Sequence, residues 1–437
     1  MKPSARRFDH ATRRSFLESL AKSAFGVSIL PVSEALFGAT AQGATAYRAA
    51  TISAAKKAEH VVYLYMNGAM SHIDTFDPKP GEESGGETKA IDTSVPGIKL
   101  AEHLPELAKR MNQLAVIRSM TTETGAHEQG RYLMRTSYKL IGSIRHPFMG
   151  AWLTHFEGKK NQDLPGSVLI GADSQHPAQG YLPATVAPAP VGNPATGLQN
   201  TKSPKYLDEK NFDKRRRLIS QFESGFRKKY TNTDVKAYSD YYAEAVRLLR
   251  SPDLEAFDIM KEEASVRESY GENRVGQGCL LARRLIEKGV RFVEIEHGGW
   301  DNHVAIYDTF NGRAGELDTA ITTLMDDLKQ RGLLSKTLIV LGTEFGRTPK
   351  INQNAGRDHH PASFSCLLTG AGIQGGQVVG RTDSIGKSVE EGHCYPQDLN
   401  ATIAFGCGLP LDKEILSPSG RPFHIAHEGT PLTSLFG

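Results

Sequence analysis

Two strand-like runs that each end in a cluster of polar residues constrain this chain more than any other feature. The hydrophobic run 290–295 leads into Gly-Gly-Trp-Asp-Asn-His at 298–303, and the run 337–341 leads into Gly-Thr-Glu-Phe-Gly-Arg-Thr at 342–348. A third cluster, Gly-Arg-Asp-His-His, lies at 356–360 and is also expected to follow a strand. Because open α/β sheets bind ligands beyond the carboxyl ends of their strands, these clusters predict one site at that edge of a sheet.

The rest of the chain alternates between strands and helices in the same way. Patterns typical of buried strands occupy 60–66, 114–118 and 167–170, and helical patterns occupy 275–288 and 317–330. Strand–helix–strand alternation at this spacing is typical of a parallel sheet that carries helices on both faces. We therefore predict an α/β fold with a mostly parallel central sheet.

Composition and charge limit the functional classes to which the protein is expected to belong. The 437 residues are 39% hydrophobic and 23% charged, as in soluble globular proteins. The formal net charge of +3 comes from residues 1–46, because basic and acidic residues are equal in number after them. A chain without net charge gives no support for nucleic-acid binding, and we interpret the basic run 214–217 as a solvated helix face.

The first 46 residues have the pattern of an export signal. Thr-Arg-Arg-Ser-Phe-Leu at 12–17 matches the twin-arginine motif, a mildly apolar run follows, and Ala-x-Ala cleavage sites lie at 39–41 and 44–46. We therefore expect a periplasmic or secreted protein. No later run approaches the roughly 18–20 uninterrupted apolar residues of a transmembrane span.

We expect one domain over 58–430. Within it, 176–212 is rich in Pro, Gly, Ala and Asn, which indicates a surface loop or cap, and 214–270 has a helical pattern. The cysteines have no C-x-x-C spacing, so a zinc knuckle is not indicated.

Two of the cysteines leave a disulfide open. Cys394 and Cys407 are suited to form one in an oxidising compartment, although the sequence does not fix the pairing. Cys366 lies in an apolar run and is expected to be a buried thiol.

The residue types in the three clusters are suited to bind a divalent metal. Asp301 and His303 supply a carboxylate and an imidazole, and Asp358, His359 and His360 supply more. Adjacent residues on a strand point to opposite faces, so we do not expect both His359 and His360 to be ligands unless the chain turns there. The alternative is a network of ion pairs and hydrogen bonds that pins the loops together.

Other polar residues allow more than one interpretation. Arg347 and Arg357 have the forked geometry that binds an anion. Asp74, after the first strand, is either a metal ligand or a cap of the following turn. Ser71 has no G-x-S-x-G setting, so a nucleophile-elbow hydrolase is not indicated. We expect neither a Walker A loop nor a G-x-G-x-x-G after a strand, so nucleotide chemistry has no support.

Taken in order, the first strand and the motifs Gly-Gly-Trp-Asp-Asn-His, Thr-Glu-Phe-Gly-Arg-Thr-Pro and Gly-Arg-Asp-His-His resemble an exported bacterial family, domain of unknown function 1501. The resemblance spans about 58–430 and includes the twin-arginine start. This family is grouped with the alkaline phosphatase-like superfamily, which includes sulfatases and cofactor-independent phosphoglycerate mutases. The resemblance implies an alkaline phosphatase-like fold with one or two divalent metals at the carboxyl edge of the sheet.

Some positions match the superfamily pattern. Asp301 and His303 match its Asp…His metal pair, and its late lone histidine matches His359 or His360. Arg131 matches the arginine of the helix-start motif of sulfatases.

Other positions depart from that pattern. Asn67 stands in place of a metal-binding Asp, and Glu344 with Phe345 replaces an Asp-His pair. His127 stands where sulfatases place a Cys or Ser nucleophile. Either a nearby threonine takes over as nucleophile, or His127 acts itself, or a metal activates water directly, or catalysis is lost; the candidate threonines are Thr121, Thr122 and Thr124.

These observations predict a metal-dependent hydrolase of sulfate or phosphate esters. The predicted metal ligands are Asp301, His303, Asp358 and His359. The predicted catalytic residues are His127 as nucleophile or acid–base, Glu344 as a further ligand or general base, and Arg131 and Arg347 as groups that steady the anion. The alternative is a non-catalytic protein of the same fold that binds a sulfated glycan or another anionic partner.

Overall fold

A computed structural model gives the structure of residues 58–172, 174–199, 201, 210–211, 213–215, 217–219, 221 and 233–437. The predicted export signal at 1–46 lies outside these described residues. Among the described helices, none combines the length and the apolar composition that a bilayer crossing requires.

The secondary structure alternates along the chain as the sequence predicts. The strands are β1 (His60–Met66), β2 (Ala90–Asp92), β3 (Lys99–Ala101), β4 (Leu114–Met120), β5 (Ser167–Ile170), β6 (Ala189–Val191), β7 (Phe292–His297), β8 (Thr337–Thr343), β9 (Gly346–Arg347), β10 (His359–His360), β11 (Phe364–Gly370), β12 (Gln377–Val379), β13 (Arg381–Thr382), β14 (Val389–Glu391), β15 (Ile415–Leu416) and β16 (Pro422–Phe423). The α-helices are α1 (Pro105–Lys109), α2 (His127–Thr136), α3 (Met149–Glu157), α4 (Thr233–Arg250), α5 (Ala264–Tyr270), α6 (Arg274–Glu287), α7 (Ile306–Gln330) and α8 (Pro396–Gly406).

Eight strands form one sheet, in the order β12-β4-β11-β8-β1-β7-β5-β6. Every neighbouring pair is parallel except the two that involve β11, which runs antiparallel to β4 and β8. The prediction of a mostly parallel α/β sheet is therefore confirmed.

Helices cover both faces of this sheet. Alternate residues of β1 enter two separate cores, because successive side chains of a strand point to opposite faces. Val62 and Leu64 pack in one core with side chains of α1, α6 and α7. Val61 and Tyr63 pack in the other core with side chains of α3 and α8. Burial on both faces explains why β1 is apolar along most of its length.

Several boundaries differ from the sequence patterns. Helix α7 begins at Ile306, well before the predicted 317, because its first turns carry polar residues that weaken the apolar periodicity. The helical pattern over 214–270 is interrupted after Arg250, where Ser251 accepts a hydrogen bond from Asp253 N and starts a 3₁₀ turn.

Three strands of the main sheet, β6, β11 and β12, lie where the sequence did not indicate them. The segment 176–212, predicted as a surface loop or cap, contains β6, and Pro190 is tolerated there because β6 is an edge strand. Strand β11 ends at Gly-Ala-Gly-Ile-Gln-Gly, residues 370–375. The prediction that no G-x-G-x-x-G follows a strand is therefore wrong, but this segment leads into β12 instead of a helix, so it lacks the context of a dinucleotide-binding fingerprint.

The cysteines are all buried free thiols. Cys366 is 0% exposed, as predicted from its apolar surroundings. Cys394 and Cys407 are not joined, so the disulfide that the sequence left open is absent from this structure.

The polar clusters reach one edge of the sheet by two routes. Met66 is in register with His297 and with Thr343, so β1, β7 and β8 end together and their polar loops emerge side by side. We predicted that the third cluster would also follow a strand of the sheet. Instead it precedes β11, whose first residue Phe364 pairs with Met120, because the antiparallel direction of β11 brings its start to this same edge.

Candidate functional site

Four side chains converge at this edge of the sheet. One ligand atom each from His127, Asp301 and His359 lies within 4.8 Å of the other two. His303 Nε2 lies 3.0 Å from Asp301 Oδ1 and 2.9 Å from His359 Nε2. The four side chains are between 27% and 46% exposed, so solvent and a ligand can reach them. We call these four residues the histidine–aspartate cluster.

Each imidazole of the cluster is oriented through its Nδ1 atom. The three contacts are His127 Nδ1 to Glu344 Oε1 at 2.8 Å, His303 Nδ1 to Asp358 Oδ1 at 2.9 Å, and His359 Nδ1 to Gly125 O at 2.7 Å. Carbonyl and carboxylate oxygens accept hydrogen bonds, so each Nδ1 carries the proton and donates. In the neutral ring, Nε2 then keeps its lone pair, and each of the three Nε2 atoms faces Asp301.

Within the cluster, the contact between the rings of His303 and His359 is the one that most requires a proton or a cation. Their Nε2 atoms are 2.9 Å apart, and in neutral rings the Nδ1 hydrogen bonds leave a lone pair on both. Two lone pairs repel at this distance. A proton on one ring, or a cation that both rings ligate, satisfies the contact.

Asp301 is held in place by Arg347. The guanidinium of Arg347 is 0% exposed and donates through Nη2 to Asp301 Oδ1 and to Gly68 O. Burial raises the pKa of Asp301, but the hydrogen bond and charge of Arg347 outweigh it and bring the pKa to about 2. Asp301 is therefore a carboxylate at neutral pH.

The remaining donors of Arg347 also point into the protein. Nε donates to Ala69 O at 2.8 Å, and Nη1 donates to Arg357 O at 3.0 Å and lies 3.4 Å from His303 Nε2. The sequence predicts that Arg347 steadies an anionic group. The structure places it beneath the cluster, where it contacts Asp301 and backbone carbonyls.

Two glycines allow the close packing of these elements. Gly68 has φ +116°, and a Cβ on it would lie 2.6 Å from the backbone nitrogen of Asp301. A Cβ on Gly130 of α2 would lie 3.0 Å from Glu344 Cβ. Larger residues at these positions would push the Asp301 loop and helix α2 away from the end of the sheet.

Glu344 lies behind the cluster and is 0% exposed. Its Oε1 accepts from His127 Nδ1 and, at 2.9 Å, from Gly68 N, and its Oε2 accepts from Tyr65 OH at 3.1 Å. Burial raises its pKa, but the hydrogen bonds from His127 and Gly68 N more than offset this and hold the pKa below its ordinary value. We predicted Glu344 as a ligand or general base; the structure connects it to the cluster through His127.

Asp358 has a similar place on the other side of the cluster. Its Oδ1 accepts from His303 Nδ1 and from Asn352 Nδ2 at 3.0 Å. Hydrogen bonding from His303 and Asn352 lowers the pKa of this exposed carboxylate. Of the four predicted metal ligands, the structure brings Asp301, His303 and His359 together, and Asp358 contacts them through His303.

Arg131 lies one helical turn after His127. Its Nη1 is 3.4 Å from Asn67 Oδ1, and its Nη2 donates to Gln175 Oε1 at 2.8 Å. Asn67 donates through Nδ2 to Glu296 Oε1 at 2.8 Å. Asn67 is thus held by the side chains around it, beside the cluster.

The other polar residues that the sequence singled out form hydrogen bonds with groups outside the cluster. Asp74 is buried and pairs with Arg357, whose Nε donates to Asp74 Oδ2 at 2.8 Å. Ser71 and Thr88 donate to the same carboxylate, so the Asp74 contacts are those of a loop anchor. His360 Nε2 contacts Lys387 O at 2.6 Å, away from the cluster.

The sequence did not indicate that two further groups take part in this arrangement. Tyr65 belongs to an apolar strand, where an aromatic residue indicates only core packing. The backbone carbonyl of Gly125 orients His359. The residue type at a position does not indicate what its backbone oxygen will contact. Only the position of Gly125 between β4 and α2 at this edge of the sheet hints at its role.

Several solved structures are similar to this one in fold, with low TM-scores. The structure is similar to the lipoteichoic acid synthase LtaP from Listeria monocytogenes, with 7% identity, a TM-score of 0.40, and coverage of 82% of this chain and 74% of that one. It is also similar to the PsFucS1 sulfatase from Pseudoalteromonas sp., with 14% identity, a TM-score of 0.36, and coverage of 81% and 68%.

A third similar structure is the alkaline phosphatase from the Antarctic bacterium TAB5, with 14% identity, a TM-score of 0.31, and coverage of 72% and 93%. At these scores the likenesses carry no inference about activity. No curated protein matches the sequence. Residues 58–436 match the family described as "Protein of unknown function (DUF1501)", and the chain belongs to that family.

Proposed function

We propose that this protein is a divalent-metal-dependent hydrolase of phosphate or sulfate esters. One observation supports the proposal most strongly: three imidazole Nε2 atoms and the Asp301 carboxylate face one another, and all four side chains are partly exposed. Each imidazole is also oriented by an oxygen on its far side. Histidine ligands of metals commonly donate their other ring N–H to a carboxylate or carbonyl in this way.

The donor set fits a divalent cation. Three neutral imidazoles and one carboxylate are ligands that Zn²⁺ and similar transition metals accept. His127 Nε2 is a buried polar atom without a hydrogen-bond partner among the described residues, and it lies 3.4 Å from Asp301 Oδ2. A cation would satisfy this nitrogen and relieve the contact between the Nε2 atoms of His303 and His359.

A bound divalent cation would supply Lewis-acid polarisation of the ester and acidify a water molecule. The residues of the chain prepare the site for this chemistry. His127, Asp301, His303 and His359 would hold the cation, and Glu344, Asp358 and Gly125 O orient the three imidazoles. Arg347 fixes Asp301 from below, and Arg131, one turn after His127, would contact the anionic group of the ester.

The attacking group in this proposal is water. His127 occupies the position of the sulfatase nucleophile, but its Nε2 faces the cluster and its Nδ1 donates to Glu344. The oxygen of water forms a bond to phosphorus or sulfur, and the bond from that atom to the ester oxygen breaks. A proton from water passes to the leaving oxygen, so the products are an alcohol and phosphate or sulfate.

We place this activity in the periplasm. The proposal rests on the twin-arginine pattern in the first 46 residues. This export route carries folded proteins, so the chain would acquire its metal before export.

A non-catalytic role is the second candidate. It is favoured by the histidine at position 127, where the resemblance to sulfatases implies a hydroxyl or thiol nucleophile. In that case the site would bind a sulfated glycan or another anionic partner without turning it over.

A hydrolysis assay separates the two candidates. Purified protein, loaded with Zn²⁺ or Mn²⁺, is given phosphate monoesters and sulfated saccharides, and released phosphate or sulfate is measured; with phosphate diesters, the released alcohol is measured. The hydrolase proposal predicts metal-dependent release that Asp301→Asn abolishes. Glycan-array binding that survives chelation, without any release, would instead establish the binding role.

A further inference from the structure

We propose that Tyr65 is a positioning residue that fixes the Glu344 carboxylate behind His127 and so contributes to metal affinity at the histidine–aspartate cluster. This inference rests on the proposed metal site. Tyr65 touches none of the four cluster residues through a hydrogen bond, and it acts through Glu344.

The two carboxylate oxygens of Glu344 accept hydrogen bonds from different groups. Oε1 accepts from His127 Nδ1 at 2.8 Å and from Gly68 N at 2.9 Å, so it faces the cluster. Oε2 points away and accepts from Tyr65 OH at 3.1 Å. Both Tyr65 and Glu344 are 0% exposed, so water does not compete for this hydrogen bond.

Thr343 is the other side chain near Oε2, but its proton is used elsewhere. Its Oγ1 lies 2.7 Å from Met66 O and 3.2 Å from Glu344 Oε2. A hydroxyl has one proton, and the shorter contact with a carbonyl takes it. Among the side chains of the described residues, Tyr65 is then the donor to Oε2.

The ring of Tyr65 is itself held by a cation. The guanidinium carbon of Arg135 lies 4.1 Å from the ring centroid. Arg135 is buried and donates to Glu294 Oε1 at 2.8 Å and to Glu296 Oε2 at 2.7 Å, so it cannot move away. The attraction between the cation and the ring helps to hold the ring of Tyr65 in place.

The hydroxyl of Tyr65 stays protonated at all physiological pH values. Burial and the charge of Glu344 raise the pKa of Tyr65 well above its ordinary value. The hydrogen bond to Oε2 therefore has one direction, from Tyr65 to Glu344.

Tyr63 is a matched control two residues away. It is buried on the same face of β1, and its ring lies 6.1 Å from that of Tyr65. Its hydroxyl has no hydrogen-bond partner among the described residues. Tyr63→Phe and Tyr65→Phe remove the same atom from neighbouring buried sites, and only the second removes a contact with Glu344.

The experiment compares Zn²⁺ binding to the metal-free wild type, Tyr65→Phe and Tyr63→Phe by competition with a chromophoric chelator. Because loss of a partner that orients a metal ligand weakens binding, we expect Tyr65→Phe to bind Zn²⁺ about three- to tenfold more weakly. Tyr63→Phe is expected to match the wild type. With Co²⁺ in place of Zn²⁺, Tyr65→Phe is also expected to shift the d–d absorption bands, which a change in packing alone would leave in place.

A double-mutant cycle tests whether Tyr65 affects Zn²⁺ affinity through Glu344. In a Glu344→Gln background, Tyr65→Phe is expected to cause no further loss of Zn²⁺ affinity, because its hydrogen-bond partner is already changed. A Tyr65→Phe protein that binds Zn²⁺ like Tyr63→Phe would overturn the inference and leave the metal site standing. A wild-type protein that binds no divalent cation would overturn both.

Discussion

His127 Nδ1 lies 2.8 Å from Oε1 of Glu344, a carboxylate that is completely buried. This contact joins a solvent-accessible imidazole to the end of β8 and turns its Nε2 toward Asp301. The geometry of the partly exposed cluster therefore depends on buried groups behind it.

Glu344→Gln should weaken metal binding without unfolding the protein. The amide keeps the shape of the side chain but loses the charge that holds the Nδ1 proton of His127. We expect Zn²⁺ affinity to fall by roughly 10- to 100-fold, the usual effect of changing such a partner. Chelator competition measures the change, and Glu128→Gln, at an exposed residue next to His127, should have no effect.

Gly68→Ala should disturb the Asp301 loop. Its backbone has φ +116°, and the added Cβ would lie 2.6 Å from Asp301 N. We expect a loss of about 1–3 kcal/mol in the free energy of unfolding, together with weaker Zn²⁺ binding. Gly298→Ala is the control, because a Cβ at Gly298 meets no atom within 4 Å. Equal effects of the two changes on Zn²⁺ binding would contradict this account of the loop.

Asp74→Asn should affect stability but not metal binding. The change leaves the guanidinium of Arg357 buried without its carboxylate partner. Breaking a buried ion pair on one side typically costs about 3–5 kcal/mol, and we expect that loss in urea unfolding. Asp92→Asn, in an exposed pair with Lys99, should change stability by less than about 1 kcal/mol.

The same variant tests the metal-ligand role that the sequence left open for Asp74, whose other predicted role was a cap of the following turn. If Asp74 is a loop anchor, folded Asp74→Asn protein keeps the Zn²⁺ affinity of the wild type. A selective loss of Zn²⁺ binding at unchanged stability would show that Asp74 is a ligand.

Buried histidines should make the protein less stable in mild acid. Burial lowers the pKa of His60 from 6.5 to about 4, and His60 Nδ1 contacts Val290 O at 2.7 Å. Between these two values the unfolded chain binds a proton that the folded chain excludes, so stability falls as pH falls. For one such group the slope approaches about 1.4 kcal/mol per pH unit.

His60→Asn tests this dependence, because asparagine retains an N–H donor and does not titrate. Urea unfolding at pH 7, 6 and 5 should show a shallower loss of stability than in the wild type. Burial also lowers the pKa values of His72, His146 and His297 to about 4, so part of the slope should remain. An unchanged slope in His60→Asn would show that His60 is protonated in the folded protein.

The sequence predicts the fold well where burial is uniform. Strand β1 and strand β5 have the predicted bounds, because runs of apolar residues buried on both faces leave a clear pattern. Strand β6 was missed because it is a short edge strand that contains Pro190. The start of α7 was missed because its first turns carry several polar residues.

The candidate site was only partly predictable. The motifs identify Asp301 and His303, and the resemblance to the family points to His127. The sequence left His359 and His360 as alternatives, because the direction of each side chain depends on the backbone of β10. It could not show that Glu344 and Arg347 lie beneath the cluster, because burial of a charged residue depends on tertiary contacts.

Zn²⁺ titration of metal-free His359→Ala and His360→Ala tests the metal site most directly. The two histidines are neighbours, but His359 Nε2 faces Asp301 and His303, whereas His360 Nε2 contacts Lys387 O. We predict that the wild type and His360→Ala bind Zn²⁺ with similar affinity and that His359→Ala loses most of it. Equal Zn²⁺ affinity in the two variants, or no binding by the wild type, would contradict the metal site.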